Sequence, residues 1–195
     1  MTDLFSDQLV ERARQHDPAA LAQIVALYGP RVFGLLKKVT GNPDLADDLL
    51  QETFLRMVRR IADYEPTGKF ESWLFSIAIN LVRDHIRRNR RRGNVYSLDE
   101  AEDEGSAVAQ GSPHHRSEAP PPEAIVLRAE QVARLERAFE RLGPSERELL
   151  SLRHYGDLSF RDIADMLGIP LGTALARGHR ALQKLRAILE ETDDA

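Results

Sequence analysis

The sequence predicts an all-α protein: two small helical domains joined by a flexible acidic linker, the C-terminal one a helix-turn-helix. Three observations predict it. Apolar residues recur every three or four positions across the N-terminal and C-terminal thirds, and no stretch shows the alternation of a half-buried strand. Residues 93–123 between them are rich in Gly, Pro and acids, with too few large apolar side chains to offset ordering entropy. Near the C-terminus a capping box, a Gly-Ile-Pro turn and another periodic run follow in order.

Each element has its own signals. Leu21, Ile24, Val25, Tyr28, Val32, Leu35, Leu36 and Val39 make one helix face. Gly29-Pro30 is expected to bend or interrupt that helix, because proline removes a helix hydrogen bond, and Thr40-Gly41-Asn42-Pro43 stops it. A second helix opens near Pro43, with Asp44, Asp47 and Asp48 favouring its positive end. Its apolar face is Leu45, Leu49, Phe54, Leu55, Val58 and Ile61, and Glu65-Pro66-Thr67-Gly68 ends it. A third, about 71–91, carries Trp73, Leu74, Ile77, Ala78, Leu81, Val82 and Ile86. Past the linker, helices are expected over about 124–141 and 145–154.

Ser159-Phe-Arg-Asp162 is a capping box, and Ile163, Ala164 and Leu167 supply the buried face of the helix it opens. Gly168 suits a left-handed cap before Ile169-Pro170. The last helix, from about Gly172 to Leu189, is expected to turn Ala174, Leu175, Gly178, Ala181, Leu182, Leu185 and Leu189 inward. Thr173, Arg177, Arg180 and Lys184 form a polar, basic stripe on it. Small residues at Ala164, Gly168 and Ala174 suit a close helix crossing with a tight turn. This is the helix-turn-helix pattern, whose second helix enters the DNA major groove.

Length and composition bound the alternatives. The chain has 195 residues, so it holds one ordinary domain or two small ones. It has no cysteine, which excludes disulfides, thiolate metal sites and a thiol nucleophile. The start, Met1-Thr-Asp-Leu-Phe-Ser-Asp-Gln, carries acids where a signal peptide carries Lys or Arg. No unbroken apolar run approaches the roughly 18 residues of a membrane span, so a cytoplasmic protein without membrane insertion is expected. His114-His115 sit in the linker, and no H-E-x-x-H, G-x-S-x-G or G-x-x-x-x-G-K-[ST] pattern occurs. Neither an enzyme, a metal, a cofactor nor a small-molecule substrate is indicated.

The net charge of −4 appears to disfavour a nucleic-acid partner, but its order along the chain does not. Residues 83–92 hold six arginines and one aspartate, whereas residues 93–123 hold one arginine and seven acids. Tyr64, Phe70, Trp73 and Phe75 lie just upstream of the arginines. Rings beside arginines suit single-stranded nucleic acid, where bases stack and phosphates meet cations.

Three motifs resemble those of bacterial sigma factors. Asp44-Leu-Ala-Asp-Asp-Leu-Leu-Gln-Glu-Thr-Phe-Leu-Arg56 is similar to their polymerase-binding helix. Phe70-Glu-Ser-Trp-Leu-Phe-Ser-Ile-Ala-Ile-Asn80, with Arg83-Asp84 and Arg87-Arg88, is similar to their promoter −10 segment. Leu142-Gly-Pro-Ser-Glu-Arg147 and Leu158 through Thr173 resemble their −35-binding domain. In order and spacing the chain resembles the extracytoplasmic-function group, over about residues 20–92 and 124–189.

The resemblance implies a sigma region 2 domain over 1–92, an acidic linker over 93–123 acting as a nucleic-acid mimic, and a region 4 domain over 124–195. It implies that Asp47, Asp48, Gln51, Glu52 and Leu55 dock on the clamp helices of the largest subunit of core RNA polymerase. The flap region is the implied polymerase contact of the C-terminal half, and an anti-sigma factor is a further implied partner. Tyr64, Lys69, Phe70, Trp73, Ile77 and Asn80 would capture an unstacked −10 base, while Arg83, Arg87, Arg88 and Arg90 hold its strand. Capturing that base offsets the cost of unstacking it.

One departure stands out. The family often has Thr-Val-Lys-Ser-Arg where this chain has Thr173-Ala-Leu-Ala-Arg177, so Leu175 and Ala176 replace two polar DNA contacts. The rival readings are a stand-alone helix-turn-helix regulator and a protein-interaction adaptor. The first leaves the Asp47–Leu55 face and the arginine run without a role. The second has no need of Arg177, Arg180 and Lys184 on one stripe.

Overall fold

The computed structural model describes residues 2–66, 68–91 and 122–191, with side chains from residue 7 to 89 (apart from 67), at 91 and from 130 to 191. Eight α-helices follow one another: α1 Thr2–Arg14, α2 Pro18–Thr40, α3 Pro43–Arg60, α4 Phe70–Arg91, α5 Pro122–Glu140, α6 Pro144–Tyr155, α7 Phe160–Leu167 and α8 Leu171–Glu191. A 3₁₀ turn, Ile61–Asp63, follows α3, and no strand occurs among the described residues. The all-α expectation holds. Most of the expected linker lies outside the described residues, but its end, Pro122-Glu123, opens α5.

Helix α2 organises the N-terminal half. Asp17 caps it by accepting from the Ala19 N–H, Pro18 occupies its first turn, and Gly41 closes it at φ 67°. It runs unbroken through Gly29-Pro30, contrary to the expected interruption. Gly29 has no Cβ to collide with the proline ring, so the usual exclusion from helical geometry before proline is relieved. Burial of Ile24, Tyr28, Val32, Leu35 and Leu36 then outweighs one lost hydrogen bond. An 18-residue stretch of α2 has mean hydropathy 1.5, so by length and composition the helix could cross a membrane. No unbroken apolar run marks it in the sequence, because Gln23, Arg31, Lys37 and Lys38 interrupt the stretch. Ile24, Tyr28, Val32, Leu35 and Leu36 are buried where the helix packs against α1, α3, α4 and α6, whereas Val25, expected on that face, is 41% exposed and lies off the packed side.

Asn42 caps α3 through the Leu45 N–H at 2.9 Å, and Ala46, Leu49, Phe54 and Met57 enter the core. Leu55, expected on the apolar face, points outward and is 51% exposed. Helix α1 has no counterpart in the sequence reading: Leu9, Val10 and Ala13 are buried, and it packs on α2 and the 3₁₀ turn.

In the C-terminal half, Glu146 caps α6 by accepting from the Gly143 N–H at 2.9 Å. Ser159 Oγ accepts from the Asp162 N–H at 3.1 Å and donates to the Asp162 carboxylate, so the expected N-cap forms, and Gly168 ends α7 at φ 65°. The inner face of α8 is Ala174, Gly178, Ala181 and Ile188, with Leu185 half-buried. Leu175 and Leu182, expected inside, are 47% and 54% exposed. At 3.6 residues per turn they fall about a quarter-turn off the buried face. The crossing is too close for large residues there, since a Cβ on Gly178 would lie 2.6 Å from the Phe160 ring.

Gly178→Val should therefore destabilise the protein by about 1–3 kcal/mol in urea denaturation, through overpacking against Phe160. Gly172→Ala, with nothing within 4 Å of the new carbon, should be neutral or stabilising by up to about 1 kcal/mol.

Candidate nucleic-acid interface

The outer face of α3 carries the first candidate surface. Asp47, Asp48, Gln51 and Leu55 are exposed, and Glu52 is half-buried beside them. Arg56 Nε donates to Glu52 Oε1 at 2.7 Å, and that bond holds the Glu52 carboxyl below the usual carboxylate range. The five residues expected on one face of this helix share it.

The loop before α4 and the first turns of α4 form an aromatic cluster. The Phe70 ring packs edge-on against Tyr28 and Tyr64 at 5.5 and 5.7 Å, and Trp73 lies 4.9 Å from Tyr64. Phe70 and Ile77 are buried, and Tyr64 is 7% exposed. Of the expected base-capture set, Phe70 and Ile77 lie in the core of this structure, and the Phe70 ring packs 5.6 Å from Trp73. Their spacing is that of the core-facing side of α4, so the same periodicity that made them conspicuous takes them inside. Trp73 is half-buried, while Lys69 and Asn80 are exposed. Tyr64 and Trp73 open on a cleft of about 450 Å³ shared with Asp63, Glu65, Lys69 and Ser72.

Farther along α4, Arg83, Ile86, Arg87 and Arg91 line a shallow concavity of about 470 Å³. Arg91, missing from the expected set, is reached by the four-residue step from Arg87, a spacing already visible in the sequence. Arg88 is exposed and donates from Nε to the Asp84 carbonyl at 3.3 Å. The side chain of Arg90 is outside the described residues.

On α8, Arg180 and Lys184 are exposed and Thr173 and Arg177 half-buried, so the expected basic stripe forms along one flank. Lys184 Nζ lies 3.6 Å from Glu146. Leu171, Leu175 and Leu182 line the opposite flank, and Ala176 lies exposed between the two.

The two halves are packed against each other. Arg31 Nε donates to the Tyr155 carbonyl at 2.8 Å, and the Tyr155 ring sits in the notch left by Gly34, where a Cβ would meet it at 2.4 Å. Lys38 pairs with Glu136, Lys69 with Asp162, and Arg83 with Glu148, at 2.9, 2.9 and 3.1 Å. Asp162, Asp165 and Met166 of α7 form the far wall of the Trp73 cleft. The Ser159 hydroxyl first and Lys69 second hold the Asp162 carboxyl below its ordinary range. Burial pushes the Glu148 carboxyl up, and Arg83 offsets only part of that.

Both halves are similar to known proteins. A family model described as Sigma-70 region 2 matches residues 24–92, and one described as Sigma-70, region 4 matches residues 138–187. The chain is 34% identical over 185 residues to the RNA polymerase sigma factor CarQ of Myxococcus xanthus, covering 94% of this chain and 97% of CarQ. It is 30% identical over 189 residues to the ECF RNA polymerase sigma factor SigW of Bacillus subtilis, covering 97% and 99%. Its fold is similar to that of the sigma factor RpoE in complex with the anti-sigma factor NepR from Bartonella quintana. There the TM-score is 0.64 at 22% identity, over 87% of this chain and 96% of that one.

Sigma-70 regions 2 and 4, in that order on one chain, define a transcription initiation factor. The chain belongs to the sigma-70 family, among the extracytoplasmic-function RNA polymerase sigma factors. It binds core RNA polymerase and promoter DNA and directs promoter-specific initiation. The stand-alone regulator falls away, because it has no place for region 2.

Because burial raises the Glu148 pKa, its carboxyl favours folding only when protonated. That contribution is complete below the unfolded value of about 4.3 and is lost as pH rises through the folded value. Glu148→Gln should therefore raise the thermal unfolding midpoint at neutral pH, and the difference should vanish below pH of about 4.

Proposed function

We propose that the roles of a sigma factor divide along this chain by residue. Residues 1–92 form the polymerase and −10 half, 93–123 the acidic linker that runs through the polymerase as a nucleic-acid mimic, and 124–195 the −35 half. Asp47, Asp48, Gln51, Glu52 and Leu55 dock on the clamp helices of the largest subunit. The observation that carries this is the α3 face itself: acids and an apolar residue held outward while Leu49, Phe54 and Met57 hold the helix down. A half-exposed leucine ringed by acids suits a basic partner with an apolar centre.

Trp73, with Tyr64 at its edge and Lys69 and Asn80 beside it, receives the unstacked base of the −10 strand. Phe70, 5.6 Å from the Trp73 ring, and the buried Ile77 form the floor of this part of α4. Arg83, Arg87, Arg88 and Arg90 hold the phosphates, joined by Arg91. Stacking and phosphate neutralisation supply this binding without nucleotide hydrolysis, and the role is non-enzymatic. Thr173, Arg177, Arg180 and Lys184 engage the −35 duplex. The protein works in the cytoplasm, with the polymerase flap region contacting the C-terminal half and an anti-sigma factor as a further partner. The likeness to a sigma factor seen with its anti-sigma factor supports that last assignment.

Variants separate the two halves. Asp48→Arg combined with Glu52→Arg should weaken binding to core polymerase about 10-fold or more. The same variant should leave −35 duplex binding by the isolated factor unchanged. Arg177→Ala should do the reverse, costing about 10-fold in duplex affinity. Loss of core binding in Arg177→Ala, measured by fluorescence anisotropy, would contradict the division.

A further inference from the structure

The outward leucines of α8 have no explanation in the packing of the protein. Leu171 and Leu175 lie in the first turns of the helix, 37% and 47% exposed, where a recognition helix meets base edges. An exposed leucine normally costs solubility and little else, but here it replaces a polar residue in a groove-facing turn. The helix with its side chains is about 10–12 Å across, and the major groove is about 12 Å wide. Both flanks of the N-terminal turns therefore meet DNA when the helix is seated. Ala176, exposed between them, carries a single methyl and lets the backbone come close. The basic flank finds phosphates and acceptor atoms. The leucine flank finds the one apolar group that the major groove displays, the C5-methyl of thymine.

We propose that Leu175, assisted by Leu171, is a specificity-determining residue that reads a thymine methyl group in the −35 element. This rests on the reading of α8 as the −35 helix. The test begins with holoenzyme, core polymerase plus this chain, and a duplex library randomised over the −35 region. Each thymine of the selected element is then replaced by deoxyuridine, which removes only the methyl. One or two positions should weaken by about 4-fold, the fold-change equivalent to burying one methyl-sized group. In Leu175→Ala that sensitivity should disappear at one of those positions. An element with no deoxyuridine-sensitive position overturns the proposal, as does sensitivity unchanged in Leu175→Ala. Failure to select any element would overturn the −35 reading instead.

The contacts between the halves carry a second inference independently. Lys69 and Arg83, both placed toward the −10 strand, are paired with Asp162 and Glu148 of the other half, and Asp162, Asp165 and Met166 wall the Trp73 cleft. Carboxylates thus stand where phosphates would lie. We infer that the free protein closes its own single-strand site, with α6 and α7 holding the place of the DNA. The ion pairs are partly exposed, so they hold weakly and are screened by salt. The Tyr155 ring in the Gly34 notch keys the closure.

Gly34→Leu fills that notch without touching any proposed DNA contact. The natural absence of cysteine allows Ala62→Cys and Gln183→Cys to carry a dye pair for energy transfer between the halves. Gly34→Leu and, separately, Asp162→Asn should lower the transfer and raise affinity for a short A/T-rich single-stranded deoxyoligonucleotide several-fold. Lower transfer with unchanged affinity overturns the inference, and so does low transfer in the parent protein. If adding Lys69→Ala to the opened protein leaves affinity unchanged, the placing of Lys69 at the strand fails instead.

Discussion

Helix α2 is the member to which the rest of the packing answers. It has to be covered on several sides at once, by α1, α3 and α4 of its own half and by α6 of the other. Its buried side supplies part of the composition that lets it pass for a membrane helix, while Val25 and Leu27 stay 41% and 50% exposed. The chain carries Gly29-Pro30 through its middle because the missing hydrogen bond is a small loss beside the burial of Tyr28 and Val32 on either side. Gly34 is the reverse case, a gap that the Tyr155 ring fills. One residue thereby sets how closely the two halves approach.

With α2 providing the interior, the neighbouring helices are free to be two-faced. Helix α3 buries Leu49, Phe54 and Met57 and leaves its acids and Leu55 outside. Helix α4 buries Leu74, Ala78 and Leu81 early and frees its arginines as it leaves the core. The total charge of −4 is thus an average over surfaces with opposite tasks. In the proposed division, acids on α3 meet protein and arginines on α4 meet nucleic acid, while Glu148 of α6 pairs with Arg83 and Asp162 of α7 with Lys69. The salt dependence of DNA binding will follow the local cations and not the overall balance.

Much of this was legible in the sequence because it is local. Helical spacing, the Ser159 cap on the Asp162 N–H and the Gly168 cap each depend on neighbours within a turn or two, and all appear in the fold. What escaped depends on contacts distant in the chain. Whether Leu175 and Leu182 point in or out turns on a crossing so close that only Gly178 fits against Phe160, and a quarter-turn on a helix separates the two outcomes. Phe70 and Ile77 are base contacts by resemblance alone, and their burial in this structure follows from tertiary packing that no local pattern records. Helix α1 went unread because its buried set, Leu9, Val10 and Ala13, is too short for a convincing period. The Lys69–Asp162 and Arg83–Glu148 pairs join residues 93 and 65 positions apart, which no local pattern records.

These two helical halves turn core RNA polymerase into a promoter-specific complex, and run-off transcription tests that most directly, with purified core polymerase, the 195-residue chain and a library of promoter templates. Discrete transcripts, from a subset of templates, should appear only when the chain is added. Transcription no greater than that of core polymerase alone on every template would contradict this role.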